Sequence, residues 1–139
     1  MKKLENWSIK FDDFMTKHKD TPFVWGKWDC CLFSDACIKA MTGESLIPKT
    51  LRWSDEKSAL EAIRDYGKNL SGAIEKAAKK KNLIPTDPMF IQKGDLLVYK
   101  QESELCGMYS GSKVLGPSEN GLITNQYEEI VAVWRIPNG

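Results

Sequence analysis

A single histidine, His18, is all the imidazole that this chain of 139 residues contains. Imidazole is the side chain that moves protons most readily near neutral pH, so a proton-transfer mechanism here must use His18 or do without it. Long apolar runs are missing too. No segment approaches the ~20 apolar residues of a membrane span. The start, Met1-Lys2-Lys3-Leu4-Glu5-Asn6-Trp7, has no hydrophobic stretch behind its lysines, so a secretory signal is not expected. An excess of one charge is also lacking. Lys and Arg number 20 against 19 Asp and Glu, a net charge of +1, which supplies no broad field for nucleic acid or an anionic membrane. The expectation is a protein made and kept in a cytoplasm, with no nucleic-acid partner and no membrane span.

Cysteine is sparse and unevenly placed: Cys30, Cys31 and Cys37 crowd one segment, and Cys106 stands alone. With no second cluster to pair against, a secreted disulfide framework is not indicated. No Cys-x-x-Cys pair occurs, so the usual zinc signature is absent. On these counts neither a cofactor nor a metal is expected.

What is present suits one domain, since 139 residues with 42% hydrophobic content can bury a continuous core. Trp7, Phe11, Phe14 and Met15 recur at helical spacing among charged residues, which predicts an amphipathic first helix. His18 would end it as an exposed residue between Lys17 and Lys19. Lys19-Asp20-Thr21-Pro22 breaks the pattern, and Phe23-Val24-Trp25-Gly26-Lys27-Trp28 reads as an aromatic loop. From Asp29 a buried helix is expected, with Phe33, Ala36, Cys37, Ala40 and Met41 on one face, Asp29 as its N-cap and Thr42-Gly43 as its stop. Cys30 then falls in the first helical turn. Cys37 lies seven residues on along the same face and reads as a small buried hydrophobe.

Ser54 is expected to cap a helix bearing Ala59, Leu60, Ile63 and Tyr66, and Ser71 another bearing Ile74, Ala77 and Ala78. Lys76, Lys79, Lys80 and Lys81 read as a solvated face of the latter. Beyond Pro85 and Pro88 the chain turns to short strand-like segments at Leu96–Tyr99, Cys106–Tyr109, Lys113–Leu115, Leu122–Thr124 and Ile130–Arg135. Helices first and an antiparallel sheet afterwards is the order of an α+β domain. Asp95 reads as a turn residue. The aromatic residues Phe23, Trp25, Trp28, Trp53 and Trp134 are expected mostly to pack, with some left for an interface.

The order of three motifs resembles a known family. Trp25-Gly26-Lys27-Trp28-Asp29-Cys30-Cys31-Leu32-Phe33, then Lys93-Gly94-Asp95-Leu96-Leu97, then Leu105-Cys106-Gly107-Met108-Tyr109-Ser110-Gly111 are similar to the NlpC/P60 (papain-like) cysteine peptidases. The Phe-x-Trp-Gly-x-x-Asp-Cys-Cys start, the Met-Thr-Gly helix end and the terminal Ala-x-Trp-Arg strand resemble small phage tail-associated proteins of that group. The resemblance implies N-terminal helices packed on a C-terminal antiparallel sheet in one domain over residues 1–139. It also implies that Cys30 holds the nucleophile's position, where a helix N-terminus favours a thiolate and a neighbouring imidazole completes activation. The position of that histidine matches Leu105, which cannot accept a proton. The position of the residue that orients it falls near Gly116, which has no side chain. His18 precedes the nucleophile in the chain and is a disfavoured substitute base.

The resemblance therefore implies a degenerate peptidase: a phage tail-tip or tail-assembly protein that binds other tail-tip or hub proteins, with residual peptidoglycan contact left open. Its place would be the host cytoplasm during assembly and then the virion tail. Two alternatives stand beside it. One is an active cysteine peptidase or amidase on cell-wall peptides, with Cys30 as nucleophile. The other is a tail-tip protein whose cysteines, drawn from Cys30, Cys31, Cys37 and Cys106, ligate a metal or iron–sulfur cluster.

Overall fold

The computed structural model describes residues 1–139. Its first helix, α1 (Trp7–Lys17), buries Phe11, Phe14 and Met15, the stripe that its sequence spacing predicts. Helix α2 (Cys30–Thr42) lies against α1 and carries the core residues Phe33, Cys37, Ile38 and Met41. Asp29 caps it by accepting the Leu32 N–H at 3.0 Å. It stops at Gly43, whose φ of 85° is a left-handed conformation that a side chain would oppose.

The next two helices form as expected, but each is capped by a neighbour of the predicted serine. In α3 (Glu56–Gly67) the cap is Asp55, which accepts the Ser58 N–H at 2.8 Å while the Ser58 hydroxyl serves the Asp55 N–H. In α4 (Leu70–Lys80) the cap is Asn69, which accepts the Gly72 N–H at 2.8 Å. The reason is geometric: the cap must sit three residues before the amide it serves, and an Asx oxygen already occupies that place. Ser71 instead lies in the first turn of α4, donating its hydroxyl to the Glu104 carboxylate at 3.2 Å. Helix α4 buries Ala73, Ile74, Ala77 and Ala78, and leaves Lys76, Lys79 and Lys80 exposed. Leu60 on α3 is 57% exposed, so it adds nothing to the core.

Six strands follow: β1 (Ile84–Thr86), β2 (Leu96–Lys100), β3 (Glu104–Tyr109), β4 (Val114–Ser118), β5 (Gly121–Thr124) and β6 (Glu129–Arg135). They form one antiparallel sheet in the order β1-β6-β2-β3-β4-β5. The fold is α+β, with α2 lying over β3 and β4, and α4 over β3 and β6. Strand β1 has no counterpart in the sequence reading; three residues around Pro85 make a weak pattern, and only an edge strand accommodates that proline. None of the helices is long and apolar enough to cross a membrane.

Strand alternation divides the sheet into two faces. Leu96, Val98, Cys106 and Met108 join the main core beneath the helices. Leu97, Tyr99, Val114 and Val133 form a smaller cluster on the other face, where Leu105 and Tyr109 also pack. Asp95, expected as a turn residue, is fully buried and serves as an anchor as well. Arg135 donates to its two oxygens at 3.1 and 2.8 Å, the Gln92 N–H donates at 2.8 Å, and a third bond from Arg135 reaches the Phe90 carbonyl at 2.7 Å. The turn before it needs Gly94, at φ 88°, because a Cβ there would meet the Trp7 ring at 2.7 Å.

Candidate functional site

The strongest concentration of chemistry lies where α2 begins over the sheet. Asp29 is 98% buried by surface area, at 2% exposure, and its carboxylate organises the region. One oxygen caps α2. The other accepts the Gly26 N–H at 3.0 Å and the Trp53 indole N–H at 2.7 Å. A single carboxylate therefore ties the aromatic loop, the start of α2 and the segment before α3 together. Gly26 permits this, since a Cβ there would fall 2.7 Å from the Ser54 backbone. Cys30 and Cys31 follow as the first residues of the helix so fixed.

From below, β3 supplies a third thiol. Pairing of Val98 with Cys106 and of Leu96 with Met108 keeps Cys106 on the helix-facing side. The sulfurs of Cys30, Cys31 and Cys106 all lie within 4.8 Å of one another. Cys106 and Cys31 Sγ are 3.8 Å apart, and the Ser34 hydroxyl donates to Cys106 Sγ at 3.8 Å. The fourth cysteine stands apart: Cys37 is wholly buried and touches Met41 Sδ at 3.9 Å.

Crowding three thiols separates their acidities. Hydrogen bonds from Cys106 and then Cys31 hold Cys30 well below the ordinary thiol range, against the opposing effect of burial. Cys31 is pushed well above it by its hydrogen bonds with Cys106 and Cys30 and then by burial, and Cys106 by its hydrogen bond with Cys30 first, with its bond to Cys31 opposing and burial adding. Cys37 is raised by burial alone.

A groove of about 560 Å³ opens over Cys30 and Cys31, walled by Trp25, Trp53, Leu60, Arg64 and Glu104, with Leu105 at its side. A smaller apolar cavity of about 60 Å³ lies behind, between Cys31, Ile38, Leu46, Ile63 and Cys106.

A family described as "Domain of unknown function (DUF6950)" matches residues 2–136, nearly the whole chain. The chain belongs to that family. No curated protein matches it.

Within this DUF6950 domain the residues singled out from sequence fall as follows. Cys30 begins α2 and lines the groove. Leu105 points to the sheet face away from the main core, so the β3 side chain that meets the thiol of Cys30 is its neighbour Cys106. Gly116 lies in β4, where a Cβ would come within 2.8 Å of Asn125 Nδ2. That space holds a pair which sequence reasoning did not find: the Asn125 amide donates to the Tyr99 hydroxyl at 2.7 Å. Tyr99 is raised chiefly by burial, so at neutral pH it holds its proton and cannot serve as a base. No spacing from the cysteine motif points to Asn125, which reaches the pair only because β4 and β5 form a hairpin.

His18 was expected at the surface, and the structure corrects this. Its ring is half-buried, with centroids 4.7 Å from Phe14 and 4.4 Å from Trp28, and Nδ1 is 3.1 Å from the Thr21 hydroxyl. The aromatic loop folds back over the end of α1 and covers it. Burial, with Lys17 second, lowers its pKa. His18 is not among the groove-lining residues.

The DUF6950 site thus presents three converging cysteine sulfurs, two from the start of α2 and one from β3, beside a groove that no imidazole lines. Such a set can bind a soft cation, react with an electrophile or hold a ligand.

Proposed function

We propose that this protein is a non-hydrolytic relative of the NlpC/P60 peptidases, a tail-tip or tail-assembly component that binds neighbouring tail proteins. The observation that carries this reading is the position of the lone imidazole, wedged between Phe14 and Trp28 and away from the groove that contains Cys30. Amide cleavage by a cysteine needs a proton delivered to the leaving nitrogen, and later one withdrawn from the water that releases the acyl group. A thiolate alone can attack, but the cycle cannot then be completed. The papain-like character of the scaffold belongs to the same proposal. It is supported by a thiol that opens a helix packed on an antiparallel sheet, in the motif order of that group. The reading implies assembly in a host cytoplasm and residence in the virion tail.

The test is co-expression of the full chain with the proteins encoded beside it, followed by size-exclusion chromatography, run next to a peptidoglycan-hydrolysis assay. Stable co-assembly, unchanged by Cys30→Ala, together with no release of wall peptides is the expected result. Hydrolysis that disappears in Cys30→Ala would replace this reading with the second one, an active peptidase or amidase. That alternative draws on the lowered Cys30 pKa and the adjoining groove.

A further inference from the structure

We infer that Cys30, Cys31 and Cys106 form a three-thiolate site for a thiophilic d10 cation, zinc(II) or copper(I), whose remaining coordination position faces the groove. The inference does not depend on the tail-tip reading.

Cysteine in a core usually behaves as Cys37 does, packing singly as a small apolar group. The other three behave differently. Two come from the first turn of α2 and one from β3, 75 residues away from Cys31, and all three sulfurs converge within 4.8 Å. Zinc–sulfur bonds of about 2.3 Å at tetrahedral angles set ligand sulfurs roughly 3.8 Å apart. The Cys31–Cys106 separation is 3.8 Å, so an ion needs only small side-chain rotations to be ligated.

The donor set narrows the choice of ion. Three sulfurs with no carboxylate, carbonyl or imidazole among them suit soft or borderline cations and give nothing to calcium or magnesium, which require oxygen. Iron–sulfur clusters spread their cysteine ligands over several irons and call for four of them, whereas these sulfurs stand close enough to share one ion. Asp29 cannot supply a fourth donor without giving up bonds, since its oxygens already accept from Leu32, Gly26 and Trp53. What is left is an open position toward the groove, which Cys30 and Cys31 line. The N-terminus of α2 offsets part of the negative charge that three thiolates bring. Loading releases the remaining thiol protons to solvent and joins α2 to β3 through the ion.

The experiment uses the reduced, chelator-treated full chain. One arm titrates zinc(II) against a chromophoric chelator, and the other titrates copper(I) against a copper(I)-selective chelator. Cobalt(II) serves as a spectroscopic probe, because thiolate ligation gives intense near-ultraviolet charge-transfer bands. One equivalent of either ion is expected, with affinity falling more than about 100-fold in Cys31→Ser and in Cys106→Ser, since loss of a direct ligand should exceed the 10- to 100-fold cost typical of outer-shell changes. Cys37→Ser should bind as the wild type does. Because Cys106 is buried, circular dichroism accompanies each variant, and the half-buried Cys31 provides the substitution better tolerated by the fold. The inference is overturned if neither ion exceeds about a tenth of an equivalent, or if Cys31→Ser, still folded, binds with wild-type affinity.

Discussion

Two buried polar clusters sit in this fold, one at Asp95 and one at the start of α2, and they are finished to different degrees. At Asp95 both carboxylate oxygens have donors, from Arg135 and Gln92, and the guanidinium also reaches the Phe90 carbonyl. At the other cluster three thiols meet chiefly one another, beside a groove. The first closes on itself and ties the turn before β2 to the end of β6. The second leaves soft donors partly unemployed, and such donors are what a ligand or an electrophile would use. Buried polarity of the first kind indicates architecture, and of the second kind indicates chemistry.

Substitutions put that contrast to the test. Asp95→Ala should cost most, about 3 kcal/mol in urea unfolding, because it strands a guanidinium and an amide that lose their acceptor. A loss below about 1 kcal/mol would mean the pair is dispensable. Asp29→Ala comes next, at about 2 kcal/mol, since it removes the α2 cap and the acceptor for the Trp53 indole together. Tryptophan fluorescence should report the freed Trp53. Cys37→Ala should cost about 1 kcal/mol through a small cavity and leave the reactivity of the other thiols unchanged; altered reactivity would show that the two cysteine environments communicate.

The thiols predict a pH signature in the metal-free protein. Iodoacetamide should modify Cys30 with a midpoint below the ~8.5 of a free thiol, and Cys106→Ala should move that midpoint upward by removing its leading hydrogen-bond donor. Linkage sets the sign for stability. The depressed Cys30 contributes stability that is present above its unfolded pKa and is lost as pH falls through its folded value. The raised Cys31 and Cys106 contribute stability that is present below theirs and is lost as pH climbs through their folded values. Thermal unfolding should therefore be most resistant near the ordinary thiol pKa and weaken on either side; a flat profile would contradict the shifts. The smallest effect is expected from His18→Gln, which should leave the alkylation profile of Cys30 in place. A displaced midpoint would bring the imidazole into the site after all.

Much of this was legible beforehand, and the failures are of two kinds, local slips and contacts from distant segments. The stripe of α1, the Asp29 cap and Gly43 stop of α2, and most strands are patterns held within a few residues, where backbone geometry alone dictates the outcome. The misplaced caps at Ser54 and Ser71 were errors of one or two residues between neighbouring cap formers. His18 was misread because its cover, Trp28, arrives from a loop that folds back. Asp95 does sit in the expected turn, but its second role escaped the reading because Arg135 lies 40 residues away.

Local pattern was enough to establish that a cysteine pair opens a buried helix, that one imidazole exists in the chain, and that Leu105 and Cys106 must face opposite sides of a strand. Which of those two meets the helix was decided only by the register of β3 against β2 and by the seating of α2 on the sheet. The same packing brought Tyr99 and Asn125 to the space beside Gly116 and left His18 among aromatic rings. Periodicity orients a side chain relative to its own backbone, whereas a site assembled from distant segments depends on how those backbones dock.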